Sequence, residues 1–163
     1  MNNLSSKDFF NTLLIFYKAE KIIFEKAFEL IKIVESHGYI ALIVGGAVRD
    51  FILQRPVKDV DLITDMPRDK IARLFKSYSI GKSGEFGLMS ILYRQSHFDV
   101  MSIIPECREY EGQTDQNEKK RLMFLSNARQ RDFTINAMAM DGQGFILDPL
   151  GGRLDIKKRM VRT

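Results

Sequence analysis

A double glycine, Gly45-Gly46, separates a short apolar segment from a short helical one and strongly constrains the local fold. The apolar segment, Ile40 to Val44, contains β-branched residues and predicts a buried strand. Two glycines at a strand-to-helix turn remove both Cβ atoms, so the backbone can turn tightly and approach another group closely. The next segment, Ala47 to about Gln54, predicts a helix whose first amides face the turn, and Arg49 adds a planar cation. Together they indicate an anion site.

Two aspartates follow this turn, Asp59 and Asp61, with Val60 between them. In a strand, residues two apart point to the same side, so both carboxylates would project together and Val60 would face away. Two like charges so close repel each other, and a divalent cation between them removes that cost. A double glycine alone is usually only a turn, and an Asp-x-Asp pair alone is usually a solvated strand end. Their conjunction, with Arg49 between them, indicates phosphoryl or nucleotidyl transfer.

Three segments resemble one family, in the same order. GGAVRD followed by PVKDVDL is similar to the head-domain signature of the class II nucleotidyltransferases, which include CCA-adding tRNA nucleotidyltransferases and bacterial poly(A) polymerases. RDFTINAMAM, which starts at Arg131, resembles the second signature of that family, and DPLGG, which starts at Asp148, resembles the third. The resemblance covers Tyr39 to the C-terminus. It implies an α+β domain of the nucleotidyltransferase (DNA polymerase beta-like) fold, with a mixed sheet and helices mainly on one face.

The resemblance also predicts the domain organisation. Residues 39–163 would form the nucleotidyltransferase head, and residues 1–38 an N-terminal helical extension. In the family a neck that reads the incoming base follows the head, and body and tail domains hold the RNA. No segment of this chain resembles the neck, body or tail. We therefore expect a metal site and a triphosphate site without a recognisable means of selecting CTP, ATP or RNA.

The resemblance assigns functional residues beyond the first two aspartates. Asp99, in a predicted strand between Phe98 and Val100, matches the acid that completes a metal-binding trio with Asp59 and Asp61; a solvent-facing strand aspartate is the alternative. The trio would hold two Mg²⁺ ions and act in catalysis. The predicted nucleotide-binding residues are Gly45, Gly46, Arg49, Asp50, Arg131, Asp132 and Asn136.

The second signature departs from the family at one position. The usual Arg-Arg-Asp is Gln130-Arg131-Asp132 in this chain. Arg131 matches the family's triphosphate contact, so the missing arginine is the less critical one, although activity could be weakened. Asp132 and Asn136 have an alternative interpretation, in which they only cap and brace the backbone.

Composition and charge favour an anionic partner inside the cell. The chain has 163 residues, 45% of them hydrophobic, and a formal net charge of +4, which suits a partner such as nucleic acid. The single cysteine, Cys107, excludes an internal disulfide. The apolar run from Leu13 to Tyr17 is too short for a bilayer, and the first residues lack the pattern of a signal peptide. We therefore predict a cytoplasmic protein that does not bind a membrane.

The remaining segments predict elements around the site. A helix should run from Ser5 or Ser6 to His37, and Gly38 would end it; its apolar spacing is clearest at Ile23, Ala27, Leu30, Ile31 and Val34. The apolar part before residue 18 is either a separate short helix or a surface for a partner chain. The other predicted elements are a helix from Arg68 to about Lys76, a loop at Gly81 to Gly87, hairpins at Leu88–Tyr93 with His97–Ile104 and Met138–Met140 with Phe145–Leu147, and a helix starting in Arg153–Arg162.

The segment from Glu106 to Arg129 is crowded with charge and has no clear period before Leu122, so it predicts a mobile loop with one helical turn. Lys119, Lys120 and Arg121 are candidate contacts for RNA phosphates, with a solvated run of charge as the alternative. The two histidines and Cys107 lack the spacing of a metal or nucleophile site, and we assign them no chemistry.

These features predict template-independent transfer of a nucleotide from a nucleoside triphosphate to an RNA 3′-hydroxyl, of the tRNA CCA-adding type, with pyrophosphate release. One Mg²⁺ would activate the hydroxyl and the other would steady the leaving group. Three alternatives remain open: a poly(A) polymerase head, a catalytically incomplete nucleotide- or RNA-binding subunit that needs a protein partner, and a small-molecule nucleotidyltransferase of the same fold.

Overall fold

The computed structural model describes residues 18–79, 88–103, 110 and 112–163. Predictions for Ser5, Ser6, Leu13 to Tyr17, Gly81 to Gly87 and Cys107 lie outside these residues. The described elements are, in chain order, α1 (Lys18–Ser36), β1 (Ala41–Val44), α2 (Gly46–Ile52), β2 (Asp61–Thr64), α3 (Arg68–Leu74), β3 (Lys76–Ser79), β4 (Leu88–Tyr93), β5 (Ser96–Ser102), α4 (Gln116–Ala128), a 3₁₀ turn (Thr134–Asn136), β6 (Ala139–Met140), β7 (Ile146–Leu147) and α5 (Gly152–Lys158).

The strands form one seven-stranded sheet in the order β3-β4-β5-β2-β1-β6-β7. Strands β2 and β5 pair in parallel, and the other neighbours pair antiparallel. The sheet is therefore mixed, as predicted. The parallel pair lies beside β1, so the strand before the double glycine and the strand after it are neighbours near the centre of the sheet.

Helices α1, α2 and α3 pack on one face of this sheet. The predicted apolar stripe of α1 is confirmed, because Ala27, Leu30, Ile31 and Val34 are all buried. Phe51 of α2 and Ile71 of α3 join them in one core cluster, which continues through the inward side chains of the central strands. The α+β architecture with helices mainly on one face is therefore confirmed. None of the helices in the described ranges combines the length and apolar character that a bilayer crossing requires.

Helix α4 covers the opposite face of the sheet, and here the loop prediction is wrong. Residues 116–128 form a helix of 13 residues, and the Asp115 side chain caps it by accepting hydrogen bonds from the amides of Asn117 and Glu118. Met123, Phe124 and Ala128 are buried in a second core cluster against alternate residues of the central strands. The helix has a narrow apolar stripe among many charges, which is why its period was not evident from the sequence.

The buried position of Lys120 is a second correction in this helix. Lys120 is 9% exposed, and its Nζ lies 3.0 Å from Oδ2 of Asp141 and 3.5 Å from Oε1 of Glu35. Arg121 is exposed and pairs with Glu118 in the same helix, whereas Nζ of Lys119 lies 5.4 Å from the centre of the Tyr110 ring. Lys120 thus serves an internal ion pair and is not placed to contact RNA phosphates.

Both predicted hairpins are present. Strands β4 and β5 are joined at Arg94 and Gln95, which both have positive φ angles, as the tight turns that match strand twist require. Strands β6 and β7 pair through Ala139 and Leu147, and Met138 and Met140 are fully buried, as expected of core methionines. Strand β3, a short polar strand at the sheet edge, was not predicted. The predicted helix extended to about Lys76, whereas α3 ends at Leu74.

Candidate active site

Asp61 and Asp99 are adjacent across the parallel strand pair. Asp61 opens β2, Asp99 lies in β5, and the register pairs these two residues directly. Neighbouring strands lie about 4.8 Å apart, so the two carboxylates project close together. Val100 and Leu62, the residues that follow them, are buried in the core under α1, so both aspartates point to the other face. Residues 38 positions apart in sequence thus form one acidic pair.

Asp59 lies just before β2, because the strand begins at Asp61 and not at the first aspartate as predicted. The alternation is nevertheless present: Asp59 is exposed, Val60 is buried and Asp61 is again exposed. Asp59 is close enough for its charge to act on Asp61. Within the described residues, no three His, Cys, Asp or Glu side chains form a ready-made metal site. Asp61 and Asp99 are therefore the assembled pair, and Asp59 is a third charge beside it.

The surroundings of Asp61 oppose its ionisation. Burial by the cleft walls raises the pKa of the Asp61 carboxyl, and the charges of Asp99 and Asp59 raise it further, while Arg131 acts in the opposite direction. Asp61 still has a solvent-accessible surface, so a ligand can reach it. Carboxylate oxygens are the donors that Mg²⁺ prefers, and a divalent cation would relieve the repulsion. The donor set therefore fits a magnesium site.

Arg131 lines the same cleft as the acidic pair. The cleft has a volume of about 190 Å³, and its lining includes Val44, Leu88, Met101 and the side chains of Asp61, Asp99 and Arg131. Burial lowers the pKa of the Arg131 guanidinium, whereas the charge of Asp61 raises it. Arg131 is therefore a half-buried cation directed at a site that also contains carboxylates, which is an arrangement suited to a metal-bound polyphosphate.

The double glycine makes room for this arginine. Gly45 has a φ angle of +76°, and a Cβ atom built on it would lie 2.8 Å from Nη1 of Arg131. Gly46 begins α2, and a Cβ there would lie 3.5 Å from Nη2 of Arg49. The close approach predicted for the turn therefore exists, and the groups that approach the two glycines are the guanidinium groups of Arg131 and Arg49.

Arg49 is held by two of the other predicted nucleotide-binding residues. Its Nε and Nη2 donate to the two carboxylate oxygens of Asp50, at 2.8 and 2.9 Å, and its Nη1 donates to Oδ1 of Asn136, at 2.7 Å. In this network the side chain of Asn136 contacts the guanidinium of Arg49 and not the backbone, so it does not decide between the two interpretations of this residue. The hydrogen bond to Asp50 raises the pKa of Arg49. Asp132 is exposed, next to Arg131 in the chain.

The third signature positions the segment that carries Arg131. Both carboxylate oxygens of Asp148 accept hydrogen bonds, from the amides of Gly152 and Arg153, and so cap α5. A Cβ at Gly152 would lie 2.3 Å from the carbonyl oxygen of Thr134, so only glycine permits this contact. Asp155 in turn accepts a hydrogen bond from Oγ1 of Thr134. DPLGG is therefore a structural support in this chain.

Sequence reasoning missed Asn127, whose Oδ1 accepts a hydrogen bond of 2.9 Å from Nε of Arg131. Arg131 lies just beyond the end of α4, where the turn at Arg129 and Gln130 brings its side chain back to Asn127. This contact could be predicted only if α4 and its end were known.

Comparison with known proteins is consistent with this geometry. The profile of the family described as "Poly A polymerase head domain" matches residues 41–162. The CCA-adding enzymes of Geobacillus stearothermophilus and Bacillus pumilus are 36% and 37% identical to the chain over 145 residues. These alignments cover 86% of the chain but 34% and 35% of the two enzymes, so the chain spans about a third of their length.

Two solved structures share the fold. The Bacillus stearothermophilus CCA-adding enzyme in complex with CTP superposes with a TM-score of 0.70 and 33% identity, over 86% of this chain and 33% of that one. The Thermotoga maritima CCA-adding enzyme complexed with tRNA also has a TM-score of 0.70, at 22% identity, over 94% of this chain and 35% of that one.

Proposed function

This chain belongs to the poly A polymerase head domain family, and we propose that it is the nucleotide-transferring domain of a tRNA CCA-adding type of RNA nucleotidyltransferase. In the reaction the oxygen of an RNA 3′-hydroxyl attacks the α-phosphorus of a nucleoside triphosphate. The bond from that phosphorus to the bridging oxygen breaks, and pyrophosphate leaves. The observation that carries the proposal is the Asp61–Asp99 pair in a cleft that Arg131 also lines.

Asp61 and Asp99, with Asp59 beside them, are the residues that would hold two Mg²⁺ ions. The raised pKa of Asp61 supports this, because burial and the neighbouring charges of Asp99 and Asp59 disfavour its ionised form and a bound cation would relieve that cost. When bound, the ions would neutralise triphosphate charge and acidify the attacking hydroxyl. The carboxylates would orient the reacting groups indirectly, because they determine where the Mg²⁺ ions bind.

Arg131 and Arg49 would bind the triphosphate. Arg131 is half-buried, which strengthens its interaction with an anion, and Gly45 allows its guanidinium to lie against the turn. Asp50 and Asn136 would act with Arg49 by holding its guanidinium plane, and Asp132 would complete the set at the exposed side. The chain's own contribution to the reaction is therefore orientation and charge stabilisation.

The substrates and partners that we propose are inferred from relatives of the chain. The CCA-adding enzyme of Bacillus stearothermophilus binds CTP in its solved structure, and we infer CTP and ATP as substrates here. We infer the 3′ end of tRNA as the acceptor, which the net charge of +4 supports. We also propose a cytoplasmic location, which the single cysteine supports. We also propose that residues 39–163 form the head domain and that residues 1–38 form an extension before it. Helix α1, which lies in this extension, packs on the sheet.

The test is incorporation of labelled CTP and ATP into a tRNA that lacks its 3′ terminus, with Mg²⁺ present. We expect incorporation by the wild-type chain and a loss of at least about a hundredfold for Asp61→Asn and for Asp99→Asn. Asp69→Asn is the matched control, because Asp69 is exposed on α3 and forms only a surface pair with Arg73. It should retain full activity.

The outcomes separate the alternatives. CTP before ATP indicates CCA addition, and ATP alone indicates A-tailing by a poly(A) polymerase head. Binding of labelled ATP that requires Mg²⁺ and Asp61, without incorporation, indicates a nucleotide-binding subunit that needs a partner. Activity that survives Asp61→Asn would exclude the proposed metal site.

A further inference from the structure

Arg131 is held by one residue that no signature includes. Its Nε donates to Oδ1 of Asn127 at 2.9 Å, and its backbone amide donates to the carbonyl of Ala128 at 3.2 Å. Nε is one of five N–H donors on the guanidinium. A bond at this edge fixes the rotation of the group while Nη1 remains beside Gly45 and the side chain lines the cleft.

Asn127 is itself rigidly placed. It is 7% exposed and lies in the last turn of α4. Lys120 lies seven residues earlier, almost two full turns and therefore on the same side of the helix. Its buried ion pairs with Asp141 and Glu35 attach α4 to the β6–β7 turn and to α1. The amide oxygen of Asn127 is thus presented from an anchored helix.

The two arginines of the site are held by different chemistry. Asp50 accepts from two nitrogens on one edge of the Arg49 guanidinium and compensates its charge directly. Arg131 instead has a neutral amide on its Nε, so its charge is compensated by the more distant Asp61 and is available to an anion. The position of Arg131 is therefore more sensitive to the loss of one hydrogen bond.

We propose that Asn127 is a positioning residue for Arg131, whose amide oxygen orients the guanidinium to receive the phosphates of the nucleotide. This inference rests on the proposed function, because it assumes that Arg131 contacts those phosphates. Asn127 acts through Arg131 and has no contact of its own with the substrate.

The first experiment measures the Kd of labelled ATP with Mg²⁺ for the full chain. Asn127→Ala should weaken binding about tenfold, the typical loss for a hydrogen bond to a charged group. Asn127→Asp keeps an acceptor oxygen at the same place but adds a negative charge beside Arg131, so it should weaken binding less than Asn127→Ala does. Asn117→Ala is the matched control, since Asn117 is exposed on the same helix. It should leave the Kd unchanged.

A double-mutant cycle separates positioning from general loosening. In an Arg131→Ala background, Asn127→Ala should have no further effect on the Kd. An equal loss in both backgrounds would mean that Asn127 supports the fold generally, and the inference would be overturned. If Arg131→Ala itself leaves the Kd unchanged, the phosphate-binding role in the proposed function is wrong.

A second measurement tests the inference without nucleotide. In ¹⁵N NMR the Nε–H of Arg131 should give a protected signal in the wild type and in Asn127→Asp, and this signal should be lost in Asn127→Ala. A wild-type signal in Asn127→Ala would overturn the positioning role, whatever the nucleotide affinity.

Discussion

Ionisation of Asp61 destabilises the folded chain. Because burial and the charges of Asp99 and Asp59 raise its pKa, the native chain holds a proton at this carboxyl more readily than the unfolded chain does. The stability contributed by the protonated form is fully present below the ordinary pKa of aspartate. It is lost as pH rises through the raised native value, so at neutral pH the ionised group destabilises the ligand-free chain.

Asp61→Asn should therefore raise the Tm at neutral pH when no divalent cation is present, by only about 1 °C because solvent screens the charge of a partly exposed group. The gain should shrink as the pH falls below the native pKa, because the wild-type carboxyl then becomes neutral as well. Thermal unfolding followed by circular dichroism across the acid range measures this. Asp69→Asn, at an exposed site, should show no such gain, and a lower Tm for Asp61→Asn at neutral pH would contradict the electrostatic account.

Site residues within one strand or signature could be predicted from sequence, whereas contacts between elements could not. The two-residue spacing of Asp59 and Asp61 predicted that both side chains point to the same side of the chain. The alternating exposure of residues 59 to 61 agrees with this prediction. The contact of Asn127 with Arg131 and the burial of Lys120 were missed for one reason. Each depends on a helix whose apolar stripe is too narrow to stand out among its charges.

At the scale of elements, α4 shows how tertiary packing overrides a weak local signal. Two features stabilise this helix: the packing of Met123, Phe124 and Ala128 against the sheet, and the Asp115 cap. The packing depends on residues distant in sequence, whereas the cap is local. The polar edge strand β3 is a similar case, because its pairing with β4 is not evident from an alternating apolar pattern.

Lys120→Met should destabilise the chain by about 3 kcal/mol, since it leaves the buried carboxylate of Asp141 without its cation while keeping the aliphatic stem. Urea unfolding of the two proteins measures the difference. Arg121→Met, one position further on the same helix, removes only a solvent-exposed pair with Glu118 and should leave the midpoint unchanged. Equal effects of the two substitutions would mean that the Lys120 ion pair contributes no special stability.

At the scale of the whole molecule, α1 belongs to the same core as the signature elements. Phe24 of α1 is 1% exposed. The centre of its ring lies 5.6 Å from the centre of the Phe51 ring, in the helix that follows the double glycine. The apolar period of α1 was readable from sequence, but its packing partner was not, because period alone does not identify which surface a helix covers.

Phe24→Ala should cost about 3 kcal/mol and lower the temperature of a single unfolding transition for the whole chain. Ile22→Ala, on the same helix but 44% exposed, should have little effect. Differential scanning calorimetry distinguishes the two cases. A transition that splits in two would show that α1 unfolds independently of the sheet.

The strand order also has a kinetic consequence. The hairpins β4–β5 and β6–β7 join neighbouring segments, whereas the parallel pairing of Asp61 with Asp99 and the pairing of Ile43 with Met140 close long stretches of chain. Such closures cost more chain entropy than hairpins do, and folds that depend on them form more slowly. The acidic pair and its arginine therefore come together only when these slow, long-range closures are complete, and a nascent or partly folded chain has no competent site with which to capture nucleotide.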